Sequence, residues 1–234
     1  MRSEEQSASA SCRTPWVIAH RGASGHAVEN SLEAFAKAAE GGGDGIELDV
    51  HATADGALAV FHDPMLPDGR WIRDLPAASV CRHCLPNGEP LPLLQEVLAV
   101  IPDLQVYVEV KDLDPQWDAA LLAVMDADPN PGRCSVHSFD HRLIARLGSQ
   151  RPSLPRGVLS ASYLVDPLAQ LRNTGATILW QEWPLIDGAL VDMVHGAGAG
   201  IIAWTVNDEP TAQHLAGLGV DGLCGNYPER LRVA

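Results

Sequence analysis

Five short apolar runs in this chain end in residues able to do acid–base, cation or anion chemistry. Trp16-Val17-Ile18-Ala19 ends in His20-Arg21-Gly22, and Gly45-Ile46 leads into Glu47-Leu48-Asp49. Ala57-Leu58-Ala59-Val60-Phe61 ends in His62-Asp63, and Val106-Tyr107-Val108 in Glu109-Val110-Lys111. Ile201-Ile202-Ala203 ends in Trp204-Thr205-Val206-Asn207. Alternate side chains of a strand share a face, so Glu47 points with Asp49 and Glu109 with Lys111. Three carboxylates beside Arg21 and Lys111 suit a hard cation and an anionic ligand together, whereas an ordinary core has no use for unpaired charge.

The charges indicate which anion. Ionised Glu47, Asp49 and Glu109 outweigh Arg21 and Lys111 by one negative charge. One divalent cation reverses that sign, and the site then suits a singly charged phosphodiester. All-oxygen donors favour Mg²⁺ or Ca²⁺, with Mn²⁺ also accommodated. Arg21 and Lys111 would clamp the phosphoryl oxygens. His20 and His62 suit proton transfer to and from the reacting oxygens, because imidazole titrates nearest neutrality.

Strands must bring these residues together. Apolar runs near 15–20, 44–50, 105–111, 133–138, 156–160, 176–181, 200–206 and 220–225 read as strands. Amphipathic stretches near 30–41, 91–101, 116–127, 141–148, 166–174, 186–196 and 209–217 read as helices. In the first helix, Asn30 or Ser31 can cap and Leu32, Phe35, Ala36 and Ala39 form the buried stripe, with Gly41 to Gly43 ending it. Gly148, Gly175, Gly196 and Gly219 read as further helix stops. The eightfold alternation predicts an α/β TIM barrel of single-domain size over residues 15–234, with a doubly wound sheet as the alternative. The barrel is preferred because side chains from its first, second, third and seventh strands must meet at one mouth. After the second strand the alternation breaks. Ala54-Asp55-Gly56 reads as a hairpin turn that sends 57–63 back over the mouth, and 64–90 completes an insertion of about 51–90.

Bulk properties exclude several classes. The net charge of −14 argues against nucleic acid or an anionic membrane surface as the main partner. No run is long enough for a membrane span, so no stable anchoring is expected. Five scattered cysteines suit a reducing cytoplasm. Residues 1–14 are polar, lack a signal-peptide apolar core and read as a disordered tail. Lys37 and Lys111 are the only lysines, which adds weight to Lys111. Cys81 and Cys84 have metal-like spacing but no second pair, and read as loop cysteines. His26, His51, His137, His141, His195 and His214 read as surface or internally satisfied histidines. Trp71, Trp180 and Trp183 read mostly as packing or rim residues, with Trp180 or Trp183, at a strand end, the candidate for contact with the substrate alcohol.

The ordered motifs resemble those of glycerophosphodiester phosphodiesterases. They are His20-Arg21-Gly22, Glu29-Asn30-Ser31, Gly45 to Val50, Asp55-Gly56, Val60 to Pro64, Glu109-Val110-Lys111, Ser138-Phe139-Asp140, Trp204 to Asn207 and Gly219 to Gly222. They span about residues 16–230. The resemblance implies a TIM barrel that needs Mg²⁺ or Ca²⁺ and hydrolyses small diesters such as glycerophosphocholine to glycerol 3-phosphate and an alcohol. It implies His20 and His62 as the acid–base pair, either one able to be the base with His20 preferred, and Glu47, Asp49 and Glu109 as metal ligands. Arg21 and Lys111 would contact phosphate, and Trp204 and Glu29 would belong to the substrate site. It also implies a glycerol hydroxyl as internal nucleophile, passing through a cyclic phosphate. Val28 replaces the family's proline, and Gly225-Asn226 replaces a hydroxyl residue and aspartate. A lysophospholipase D or a catalytically silent phosphodiester-binding barrel are the alternatives.

Overall fold

A computed structural model describes residues 14–101 and 103–233. The tail expected over 1–14 lies outside them except for Thr14. Nine strands form one sheet: β1 (Trp16–His20), β2 (Gly45–Ala52), β3 (Leu58–Val60), β4 (Gln105–Asp112), β5 (Cys134–Ser138), β6 (Arg156–Ser160), β7 (Ile178–Glu182), β8 (Gly200–Trp204) and β9 (Gly222–Gly225). β1 pairs in parallel with both β2 and β9, so the eight parallel strands close into the predicted barrel. A doubly wound sheet would leave its outer strands unpaired.

The ninth strand, β3, runs antiparallel to β2, with Val50 opposite Val60 and Ala52 opposite Leu58. β4 occupies one edge of β2 from Gly45 to His51. β1 uses the other edge only as far as Glu47. β3 therefore takes the part of that edge that β1 leaves free. The run 57–63 pairs beside the end of β2 rather than lying across the mouth as the sequence suggested. The turn is where expected, with Gly56 at φ +81° and Thr53 N–H donating to Ala57 O at 2.8 Å.

Helices α1 (Leu32–Glu40), α2 (Ala77–Val80), α3 (Leu94–Val100), α4 (Asp118–Asp126), α5 (His141–Gln150), α6 (Ala169–Thr174), α7 (Gly188–Gly196) and α8 (Glu209–Leu218) complete the described fold. The caps follow the sequence chemistry. Ser31 Oγ accepts from Ala34 N–H, and Asp140, Asp187 and Asp208 cap α5, α7 and α8 in the same way. In α1 the buried positions are Ala34, Phe35 and Ala38, while Ala36 and Ala39 are exposed. Alanines on both faces left the phase of that stripe open, and packing against the sheet decided it. α5 also runs past Gly148 to Gln150, whose side chain donates to Asp118 at 2.6 Å. A helical glycine stops nothing when the next turn finds partners.

Strand parity divides the core into two layers. Ile46, Leu48, Val50, Val106, Val108, Val110 and Val136 face the helices in the main core. Ile18, Leu159, Trp180, Ile202 and Cys224 fill the barrel lumen. Gly157 makes room there, because a Cβ at that position would lie 2.7 Å from the Trp180 ring. Insert residues Leu66, Ile72 and Val80 form a third, small core with Ala59 and Leu91.

A buried ion pair ties the outer layer to the barrel. Arg133 is 3% exposed and donates to Asp128 and to the carbonyls of Leu98, Ile101 and Leu104. The Arg133 guanidinium hydrogen-bonds the Asp128 carboxylate and holds its pKa below the ordinary 3.8. Removing the carboxylate leaves a buried cation, so Asp128→Asn is expected to lower stability by about 3 kcal/mol in urea unfolding. Asp128 contributes stability above pH 3.8 that is lost as pH falls through its lower folded pKa. The difference between wild type and variant should therefore be constant near neutrality and shrink only below that range. An unfolding midpoint unchanged by the substitution at neutral pH would contradict this.

Candidate active site

The lumen-facing residues at the C-terminal ends of the strands enclose a cavity of about 120 Å³. His20, Arg21, Glu47, His62, Glu109, Lys111 and His137 line its polar side, and Trp180, Trp204, Phe139, Leu159 and Cys224 its apolar side. A larger cleft of about 680 Å³ lies between the hairpin and the segment after β4, among His51, Thr53, Trp71, Arg73, Asp112 and Trp117. It contains none of the converging residues, so the chemistry belongs to the smaller cavity.

Register sets the order of groups around the mouth. His20 lies opposite Glu47, Asp49 opposite Glu109, and Glu109 opposite His137. The chain leaves β1 through Arg21 at φ +55° and Gly22 at φ +78°. This turn lets the Arg21 backbone N–H donate to Glu47 Oε2 at 3.0 Å. The Arg21 side chain reaches both Glu29 oxygens at 3.0 Å and Asp49 Oδ2 at 3.2 Å. Lys111 Nζ lies 2.8 Å from Glu109 Oε1 and 3.4 Å from Asp49 Oδ1. Asn30 Nδ2 donates to Asp49 Oδ2 at 2.9 Å.

The three carboxylates therefore differ in state. Burial raises the pKa of Asp49, but Lys111 and Arg21 outweigh it and hold the value below the ordinary range. Burial, then the charges of Asp49 and Glu109, push Glu47 well up. Burial, then Asp49, push Glu109 up to about 7. One Glu47 oxygen, Oε1, is buried without a hydrogen-bond partner, and so is Asp49 Oδ1.

The two predicted histidines have different partners. His20 Nδ1 is 2.7 Å from Asn226 Oδ1, so it carries the proton and leaves Nε2 with the lone pair. Burial and the neighbouring Arg21 lower its pKa, which keeps the ring neutral at neutral pH. His62 Nδ1 lies 2.8 Å from the carboxylate of Asp63. His51 steadies this segment through the His62 carbonyl at 3.1 Å.

Of the sequence-predicted site residues, His20, Arg21, Glu47, His62, Glu109, Lys111 and Trp204 line the cavity, while Asp49 and Glu29 reach it through Arg21. Glu47 and Glu109 bring ligand atoms within 4.8 Å of each other and of a His137 ring nitrogen. Asp49 instead stands with Arg21, Lys111 and Asn30. Glu29 is half exposed at the rim and grips Arg21. Trp204 lines the cavity with a partnerless indole N–H.

His137 is the residue sequence reasoning missed, and Trp180, a candidate for substrate contact, lies against it in the cavity lining. His137 is 1% exposed and stacks on Trp180, with ring centroids 4.2 Å apart and planes at 5°. The available signal was parity: His137 shares the lumen face of β5 with Ser135, while Val136 points to the helices. His26 pairs with Glu229, His195 with Asp221, and His141 with the Leu159 carbonyl. Cys81 and Cys84 are free.

A parallel barrel carrying two histidines, three carboxylates, an arginine and a lysine at its mouth is the frame of a phosphodiester hydrolase. Residues 20–230 match the Glycerophosphoryl diester phosphodiesterase family. A glycerophosphodiester phosphodiesterase of Caldanaerobacter subterraneus subsp. tengcongensis is 31% identical over 92% of this chain and 95% of that protein. A phosphodiesterase of Oleispira antarctica, solved with its product sn-glycerol-3-phosphate, is 27% identical. It superposes with a TM-score of 0.87 over 93% of this chain and 95% of that one. A glycerophosphodiester phosphodiesterase structure from Parabacteroides distasonis, 24% identical, has the same fold, with a TM-score of 0.84 over 93% and 95%. The chain belongs to the glycerophosphoryl diester phosphodiesterase family and is a phosphoric diester hydrolase.

The mouth depends on the close packing of Gly22. A Cβ there would lie 2.7 Å from the Ala34 carbonyl carbon, on a backbone conformation that disfavours side chains. Gly22→Ala is expected to cost about 1–3 kcal/mol in urea unfolding and to lower diester hydrolysis by displacing Arg21. Wild-type values for both would show that the turn tolerates a side chain.

Proposed function

We propose that this chain hydrolyses small glycerophosphodiesters, such as glycerophosphocholine or glycerophosphoethanolamine, to glycerol 3-phosphate and the free alcohol. The observation that carries the reading is the convergence of His20 and His62 with Glu47, Glu109, Arg21 and Lys111 on one cavity. The product bound to the Oleispira antarctica relative supports the same substrate class.

The donor set fits a divalent cation. Two buried carboxylates already lie at ligand spacing, and Glu47 Oε1 has no partner inside the protein. Glu47, Asp49 and Glu109 are the proposed carboxylate ligands, with Asp49 contributing Oδ1, which faces Lys111 without a hydrogen bond. When bound, the cation polarises the phosphoryl group and offsets the site's excess negative charge. Arg21 and Lys111 hold the non-bridging oxygens, and Trp204 packs against the glycerol.

The protein groups then move the protons. His20 Nε2 takes a proton from a glycerol hydroxyl as that oxygen attacks phosphorus. His62, polarised by Asp63, gives a proton to the departing alkoxide. The cyclic phosphate is opened by water with the two roles reversed, giving glycerol 3-phosphate. Asn226 is a positioning residue that fixes the His20 tautomer.

Small diesters fit better than lysophospholipids. Leu66, Ile72 and Leu85 of the insert are buried, and Met65 and Trp71 alone among its large apolar side chains are exposed, which is little surface for an acyl chain. Intact His20 and His62 argue against a silent binder. Among the described residues no helix is long and apolar enough to cross a membrane. The proposed setting is the cytoplasm.

Incubation with glycerophosphocholine is expected to yield glycerol 3-phosphate, to stop with excess chelator, and to resume with an added divalent cation. Full turnover in chelator would remove the cation from the reading, and no product with any cation would remove the substrate class. His62→Ala is expected to cut kcat by at least about 100-fold with an unchanged circular dichroism spectrum. Retained activity would take His62 out of the acid role.

A further inference from the structure

We propose that His137 is a nitrogen ligand of the same cation and that it biases the site toward a transition-metal dication such as Mn²⁺ or Co²⁺ over Ca²⁺. This rests on the reading that Glu47 and Glu109 hold a cation.

Three observations carry it. First, the ligand atoms of Glu47, Glu109 and His137 lie within 4.8 Å of one another. Ligands at about 2.0–2.4 Å from a shared ion can stand no farther apart than about that distance. Second, His137 Nε2 is 3.9 Å from Glu47 Oε1, too far for a hydrogen bond and suited to two ligands separated by an ion. Third, the ring is buried with Nδ1 free of any hydrogen bond that would turn it away, so Nε2 keeps facing Glu47. The flat stack on Trp180 sets its orientation in place of a hydrogen bond.

His137 has no other evident task. His20 and His62 supply the proton transfers. An imidazole binds metal through a ring-nitrogen lone pair. Carboxylate oxygens alone serve Mg²⁺ and Ca²⁺, whereas adding an imidazole raises affinity along the first transition row.

The test is direct binding of Co²⁺ and of Ca²⁺ to metal-free protein by calorimetry, for wild type and His137→Gln. Wild type is expected to bind Co²⁺ at least about 10-fold more tightly than Ca²⁺. His137→Gln is expected to weaken Co²⁺ by about 10–100-fold while leaving Ca²⁺ within about 3-fold. Equal effects on both ions, or none, would overturn the role of His137 and leave the carboxylate site standing. Binding of neither ion to wild type would overturn both readings. Pulsed electron paramagnetic resonance of Mn²⁺-loaded wild type needs no variant. It should show coupling to an imidazole nitrogen, and its absence would overturn the proposal.

Discussion

Asp49 carries its charge with no exposed surface, and the mouth of the barrel is organised around that fact. A buried carboxylate is tolerated only when cations and donors surround it. Arg21, Lys111 and Asn30 do so from three different elements. Arg21 comes from the turn after β1, Asn30 from the approach to α1, and Lys111 from the end of β4. Lys111 reaches Asp49 because β4 pairs along one edge of β2, and Arg21 and Asn30 because β1 pairs along the other, the pairing that closes the ring.

The same cluster sorts the other acids. Lys111 and Arg21 outweigh the burial of Asp49, whereas Glu47, and Glu109 despite its hydrogen bond from Lys111, stay in a buried, negative setting that favours their protonated forms. Such a pair is poor at stabilising the fold and well placed to take a cation that displaces its protons. The arrangement separates two tasks. Arg21 and Lys111 stay fixed where an anion can meet them, while Glu47 Oε1, without a hydrogen-bond partner, stands with Glu109 and His137 where a cation can. Trp180 supports this half of the site from the lumen by holding His137 flat, and Gly157 leaves Trp180 the space to do it.

The insertion after β2 has a structural as well as a chemical role. β3 extends the free edge of β2 and delivers His62. Glu89, farther along the insert, accepts from the backbone N–H groups of Leu32 and Glu33 at 2.9 and 3.2 Å. A carboxylate at that end complements the α1 dipole and satisfies donors the helix cannot. The insert thus anchors the helix that follows the Arg21 turn. Leu66, Ile72 and Val80 of the insert go into a small core of their own.

The sequence alone determined the alternation of strands and helices, the paired carboxylates and the strand parity. These follow from period-two and period-3.6 patterning and from caps such as Ser31, Asp140 and Asp208, all local properties. It also carried most of the site, because His20, Glu47, Glu109, Lys111 and Trp204 sit in short motifs whose orientation a single strand fixes. Tertiary structure decided what depends on neighbours far along the chain. The phase of α1, the edge taken by β3 and the different partners of Asp49 and Glu47 are set by register and packing across the closed ring. His137 belongs with these. Alone in β5 it is one histidine among nine. It becomes part of the site only because β4 and β5 pair with Glu109 opposite it and Trp180 crosses the lumen beneath it.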